Sequence, residues 1–112
     1  MTDENDKITI EDFAKVQMRV GKVLSAEIHP NADRLLVVKV DIGDEERQLV
    51  AGMRKWYTPE ELVGKKVIVA ANLKPARMRG VESQGMMLAA TGEEEVVLLG
   101  LDKDVEPGAK VS

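Results

Sequence analysis

Apolar and polar residues alternate through Val16-Gln17-Met18-Arg19-Val20, and Leu24, Ala26 and Ile28 continue the alternation. A period of two is the signature of a strand with one buried face. Gly21 lies inside the run, and a glycine within a strand marks a bulge or a sharp bend. A long strand bent at its middle suits a small barrel, whose first strand must curve to pair on two sides. Leu36, Val38, Val40 and Ile42 alternate with Val37, Lys39 and Asp41 and predict a second strand. A loop at 43–46 then leads into a third strand over 47–51, so these two form a hairpin. Residues 67–71 predict a buried fourth strand, 85–90 a fifth, and 96–99 one more short strand. PGAKVS at the end reads as a turn and an extended tail.

Turn and cap signals fall between these runs. HPNADR (29–34) is a turn by its Pro, Asn and Asp content. Thr58, Pro59 and Glu61 make a capping box with proline at the first helical position, and Gly64 ends that short helix. Thr9 is placed to cap another short helix running to Ala14, with Glu11 and Asp12 in its first turn and Phe13 facing the core. Residues 1–7 read as a mobile acidic leader and 8–112 as one domain. Five short strands with a helix between the third and fourth predict an all-β chain. The expected fold is a five-stranded Greek-key barrel of the oligonucleotide/oligosaccharide-binding type (OB-fold), with short helices and a C-terminal extension. Another small antiparallel barrel or a sandwich is the alternative.

Composition removes several classes of function. At 112 residues the chain holds one core. There are no cysteines, which excludes disulfides, thiolate metal sites and cysteine nucleophiles. His29 is the only histidine, so a histidine-based metal site or catalytic triad would have to be built around it, and before Pro30 it reads as a turn residue. No apolar run approaches the ~20 residues needed to span a bilayer. The N-terminus lacks the apolar core of a secretion signal, so the expected address is cytoplasmic. No cofactor and no metal are expected. Glu93-Glu94-Glu95 reads as a solvated hairpin tip before it reads as a magnesium site.

Charge changes the picture more. The net charge of −4 hides a partition. Residues 1–12 carry five acids and one lysine, and residues 92–112 six acids and two lysines, so each end is −4. Residues 13–91 carry thirteen cations and nine acids, a basic body of +4. Within it, NLKPARMRGVESQGMMLAA (72–90) packs Lys74, Arg77 and Arg79 into six residues. In the expected barrel the loop between strands four and five and the loop after strand one are the usual nucleic-acid contacts. The latter is HPNADR, which carries Arg34. Two cationic loops make a phosphate footprint, in which arginines fork onto phosphate and Lys74 acts as a point charge. Single-strand binders stack bases on aromatic side chains. Only Phe13, Trp56 and Tyr57 are aromatic, and the last two sit beside the capping box, where they read as a staple for that helix. Without an aromatic platform the expected ligand is a folded RNA read by its backbone shape. Ser83 lacks the glycine two residues before it that a nucleophile elbow needs, since Val81 stands there. Its hydroxyl is better suited to bind phosphate, ribose or the loop backbone. Met86, Met87 and Leu88 read as core and interface filler.

These residues resemble a known family. ITIEDFAKVQMRVGKV (8–23), HPNADRLLVVKVDIG (29–43), RQLVAGMRKWYTPEELVGKKV (47–67) and NLKPARMRGVESQGMMLAA (72–90) are similar to the tRNA-binding domain at the C-terminus of many bacterial methionyl-tRNA synthetases. They are equally similar to the stand-alone, structure-specific tRNA-binding proteins of that family. The resemblance implies an OB-fold barrel with extra C-terminal structure, homodimerisation, binding of folded tRNA, and no catalysis by this domain. It makes a methionyl-tRNA synthetase catalytic subunit a further expected partner, with this chain as its appendage or beta subunit. The leader is either a genuine start or a cut within a synthetase linker. The RNA-contact candidates carried over by position are Arg34, Asn72, Lys74, Arg77, Arg79, Ser83 and Met86. A branch of the same superfamily is a secretion-related, peptide-binding chaperone dimer, weaker in the Ser-x-Gly-Met block. Ser83-Gln84-Gly85-Met86 is intact here, which places the chaperone second. The apolar segment VVLLGL (96–101) either supports a dimer or completes the monomer's own core.

Overall fold

A computed structural model describes residues 6–112. Residues 1–5 of the expected leader lie outside them. The elements run α1 (Ile10–Phe13), β1 (Met18–Ile28), β2 (Leu36–Asp41), β3 (Glu46–Ala51), α2 (Pro59–Leu62), β4 (Lys66–Ala70), β5 (Ala76–Met78), β6 (Val81–Ser83), β7 (Met86–Met87), β8 (Ala89–Thr91), β9 (Val96–Leu98) and β10 (Lys110–Val111). The main sheet has the antiparallel order β3-β2-β1-β4-β7. It curls into a nearly closed five-strand barrel of the expected OB type.

β1 is the hub. Its first half pairs with β4 from Met18↔Ala70 to Lys22↔Lys66, and its second half with β2 from Lys22↔Asp41 to Ile28↔Leu36. The register slips between Val23 and Ser25, so the bulge sits at Leu24 and not at Gly21. One inserted residue turns every later side chain to the other face. Val23 and Ala26, on either side of the bulge, therefore both pack on the core, whereas Leu24 and Ile28 are exposed, against the simple alternation. Gly21 serves close approach: a Cβ there would stand 3.0 Å from Val69 Cγ2.

The core is built by the strand-period residues: Leu36, Val38, Val40, Ile42, Leu49, Val67 and Val69, with Met53 and Met87. Leu62, fully buried, is the one residue that α2 inserts. Four residues cannot hold a helix alone. Here the Thr58–Glu61 capping box forms reciprocally, and burial of Leu62 adds about 2 kcal/mol. α1 forms as expected on its Thr9 cap but buries no residue, and Phe13 is exposed rather than core-facing.

Two further departures concern the C-terminal half. Residues 72–90 are not one loop and one strand. They hold the β5–β6 hairpin, then β7, then β8, which leaves the barrel to pair with β9. The tail is also structural: β10 pairs with the start of β1. Gly43 and Gly108 make that possible, since a Cβ on Gly108 would stand 2.8 Å from Ile42 O and 2.9 Å from Gly43 Cα. Lys66 Nζ reaches Asp104 Oδ1 and Val105 O, each at 2.6 Å. The hydrogen bond and charge of Lys66 lower the Asp104 carboxyl below its ordinary value. This tie therefore operates at neutral pH and fades in acid, as the carboxyl is protonated.

The barrel is closed mainly by side-chain hydrogen bonds, with one backbone pair among them. β3 and the 82–85 segment share no regular ladder. Ser83 Oγ accepts from Val50 N–H and donates to Gly85 O, both at 3.0 Å. Gln84 N–H donates to Gln48 O at 2.8 Å, and Gln84 Oε1 accepts from Gln48 N–H at 3.0 Å. Gln48 Nε2 donates to Glu82 O at 2.9 Å, and Arg47 Nη1 to Ala71 O at 2.7 Å and Gln84 O at 3.0 Å. Ser83→Ala leaves the buried Val50 N–H without its partner. It is expected to cost about 1–3 kcal/mol, read as a lower urea midpoint at unchanged slope.

Candidate nucleic-acid interface

β5 and β6 pair from Ala76↔Ser83 to Met78↔Val81, leaving Arg79-Gly80 as a two-residue turn. Both turn residues have positive φ, 56° at Arg79 and 90° at Gly80, which is the hairpin geometry that matches strand twist. Glycine adopts it freely. Arg79 is the only non-glycine residue in that region among those described. A side chain there costs roughly 1–2 kcal/mol. The hairpin thus accepts strain to carry an arginine at its tip. Arg77 Nη1 donates to Gly80 O at 3.0 Å and braces the turn.

The HPNADR loop is fastened beside this hairpin by His29, which is buried and not a surface turn residue. Its Nδ1 accepts from Asn31 N–H at 2.9 Å, so the ring proton sits on Nε2, which donates to Met78 O at 2.9 Å. Arg34 is exposed on that loop. The next loop joins it there: Arg54 Nη1 donates to Asp33 O at 2.8 Å, and Arg54 N–H to Arg34 O at 3.4 Å. A cleft of about 710 Å³ results, lined by Asp33, Arg34, Gly52, Arg54, Lys55 and Trp56.

The candidate contacts therefore divide. Arg34, Lys74, Arg77, Arg79 and Met86 are exposed. Lys74 and Met86 border a separate apolar cleft of about 400 Å³ with Leu73, Met78, Met87 and Val96. Ser83 is buried in the closure, bonded to the loop backbone. Asn72 is exposed, but its Oδ1 accepts from Gln17 N–H at 2.8 Å and its Nδ2 donates to Lys15 O at 2.6 Å, tying the N-terminal segment to the end of β4. Among the described residues the ion pairs engage Lys15, Arg19, Arg47 and Lys66. None engages Arg34, Arg54, Lys55, Lys74, Arg77 or Arg79. Acids stand near some of them, Glu82 opposite Arg77 and Asp33 in the cleft with Arg34 and Arg54, but none forms an ion pair with them. Among the described residues, no group of three or more acidic or histidine side chains converges as a metal site, Glu93–Glu95 included.

Arg54, Lys55 and Trp56 were not among the candidates from sequence. The signal was present as Arg-Lys-Trp, but the adjacent capping box suggested a staple. Both aromatic polar groups turn elsewhere: Trp56 Nε1 donates to Glu94 O at 3.0 Å, and Tyr57 Oη accepts from Leu98 N–H at 3.0 Å. No helix of the described residues is long and apolar enough to cross a membrane.

Comparison with known proteins fits this geometry. The family described as "Putative tRNA binding domain" matches residues 18–110. A methionine–tRNA ligase of Thermococcus kodakarensis is 58% identical over 104 residues, covering 93% of this chain and 14% of that protein. The chain spans about one-seventh of the curated relatives it matches. Among solved structures, a MetRS related protein from Pyrococcus horikoshii superimposes with a TM-score of 0.90 at 42% identity, covering 96% of this chain and 99% of that one. The chaperone CsaA from Bacillus anthracis superimposes at 0.87 with 30% identity, covering 95% and 99%.

Arg79→Asn places a residue that tolerates positive φ at the turn. It is expected to raise the melting temperature by a few degrees while weakening retention on a polyanion resin. A lower melting temperature contradicts the strain assigned to Arg79.

Proposed function

The chain belongs to the tRNA-binding domain family, and from that premise we propose that it binds folded tRNA by its backbone shape and catalyses nothing itself. The observation that carries this is the set of exposed cations without ion pairs on the β5–β6 hairpin and the loop that His29 fastens beside it. In this reading Arg34, Arg77 and Arg79 grip phosphates, Lys74 adds a point charge, and Met86 gives an apolar contact. Asn72 and Ser83 act by position, holding the N-terminal segment and the hairpin against the barrel. The module serves in the cytoplasm, as a stand-alone dimer or as an appendage or partner of a methionyl-tRNA synthetase. Joining it to a second copy or to a synthetase raises local tRNA concentration and so avidity.

Affinity for tRNA is expected to fall steeply with salt. Arg77→Ala/Arg79→Ala flattens the log–log slope by about two. An unstructured RNA of the same length binds more weakly, and equal binding contradicts shape recognition. For the dimer, Ile8, Ile10, Phe13 and Val16 are exposed apolar residues of the N-terminal segment, and Val97 and Leu99 are exposed as well. Leu98, by contrast, packs on the monomer's core, so the 96–101 segment divides between the two roles expected of it. Sedimentation at micromolar concentration is expected to show twice the 12.3 kDa chain mass. Particles of one chain mass only refute the dimer.

The likeness to a chaperone and the apolar cleft beside Met86 favour one second reading, a peptide-binding chaperone dimer. Suppression of client aggregation that tRNA does not compete away, with no tRNA binding at moderate salt, reverses the order of the two.

A further inference from the structure

Trp56 stands between two clefts of opposite character. On one side are Arg34, Arg54 and Lys55, with Asp33 as the single acid. On the other are Thr91, Gly92 and the three acids Glu93, Glu94 and Glu95, and Lys55, beside Trp56, borders both clefts. The indole N–H is spent on Glu94 O, which fixes the ring in its plane. About a third of the residue remains exposed. Lys55 Nζ lies over the ring, 5.6 Å from its centroid. An exposed cation–π contact of this kind is worth less than a stacked nucleobase, so a base can displace it and release the ammonium to a phosphate.

We propose that this is a seat for one unpaired nucleotide of a bound RNA, its base stacked on Trp56 and its phosphate held by Arg34, Arg54 and Lys55. The inference rests on the RNA-binding reading and adds a base contact to the phosphate contacts of the hairpin. The acidic cleft repels phosphate, so the nucleotide has one orientation, with its backbone toward Arg34. Arg34 lies on the loop that His29 ties to β5, and one strand can therefore engage the hairpin and the seat together. Stacking is tolerant of base identity, so the seat selects for an unpaired base and not for a sequence.

Trp56 is the only tryptophan, so its emission reports the seat directly when excited where Tyr57 does not absorb. The intact chain is titrated with tRNA and, separately, with inorganic polyphosphate. The expected result is quenching by tRNA and not by polyphosphate, with Trp56→Leu weakening tRNA binding about ten-fold and Trp56→Phe weakening it less. Circular dichroism checks that the variants fold, and the Trp56→Phe comparison stands if Trp56→Leu does not fold. If Arg77→Ala/Arg79→Ala lowers affinity but tRNA leaves the emission unchanged and Trp56→Phe and Trp56→Leu bind like the parent, the seat is refuted and the RNA-binding module survives. Equal quenching by polyphosphate refutes base stacking. Absence of any tRNA binding refutes both.

Discussion

Everything functional in this domain depends on how the barrel is closed. The two edges of the curled sheet, β3 and the segment leading into β7, do not zip together with a backbone ladder. Ser83, Gln84, Gln48 and Arg47 bridge them instead. Buried backbone groups must be paired, and an unpaired one costs about as much as a lost hydrogen bond. The closing residues therefore fix the sheet and also the base of the β5–β6 hairpin, because Ser83 ends β6. His29 completes the arrangement from the other loop. Its neutral ring uses both nitrogens, one within its own turn and one on Met78 O. Two loops far apart in sequence are held side by side, and their cations add.

The closure also explains why a serine and an asparagine stand among the candidate contacts. Ser83 and Asn72 carry polar groups that suit phosphate, yet each is bonded inside the protein. They shape the surface on which Arg77, Arg79 and Arg34 are displayed. Arg79 shows the complementary choice. A glycine or asparagine would suit its positive φ better, and the hairpin keeps an arginine there.

Much of the barrel was legible in the sequence because its strands are half-buried and alternate. Leu36, Val38, Val40 and Ile42 declared β2 without ambiguity, and Thr58 to Glu61 declared α2. What was hidden depended on tertiary contact. The bulge at Leu24 leaves no local mark, since an inserted apolar residue looks like any other. Met78-Arg79-Gly80-Val81 hid a hairpin turn because arginine is not a turn residue by preference. The tail strand β10 is two residues long and exists only because Gly43 and Gly108 let two backbones touch. Phe13 looked like core, but α1 buries none of its residues and Phe13 is exposed. At the site, Arg34, Lys74, Arg77 and Arg79 were readable from charge clustering. Arg54, Lys55 and Trp56 were not, because only the fold brings their loop against Asp33 and Arg34.

The partition of charge now has a spatial meaning. Of the middle segment's cations, Lys15, Arg19, Arg47 and Lys66 carry ion pairs among the described residues, whereas Arg34, Arg54, Lys55, Lys74, Arg77 and Arg79 carry none. Three of the six acids of residues 92–112, Glu93, Glu94 and Glu95, sit at the β8–β9 tip, across Trp56 from the basic cleft. An amide chemical-shift map recorded by NMR during tRNA addition tests this most directly. The account predicts that perturbations concentrate in residues 31–34, 54–56 and 74–80 and leave the 93–95 tip and the tail strand little changed. Perturbations centred on α1 or the tail, with the hairpin unmoved, contradict it.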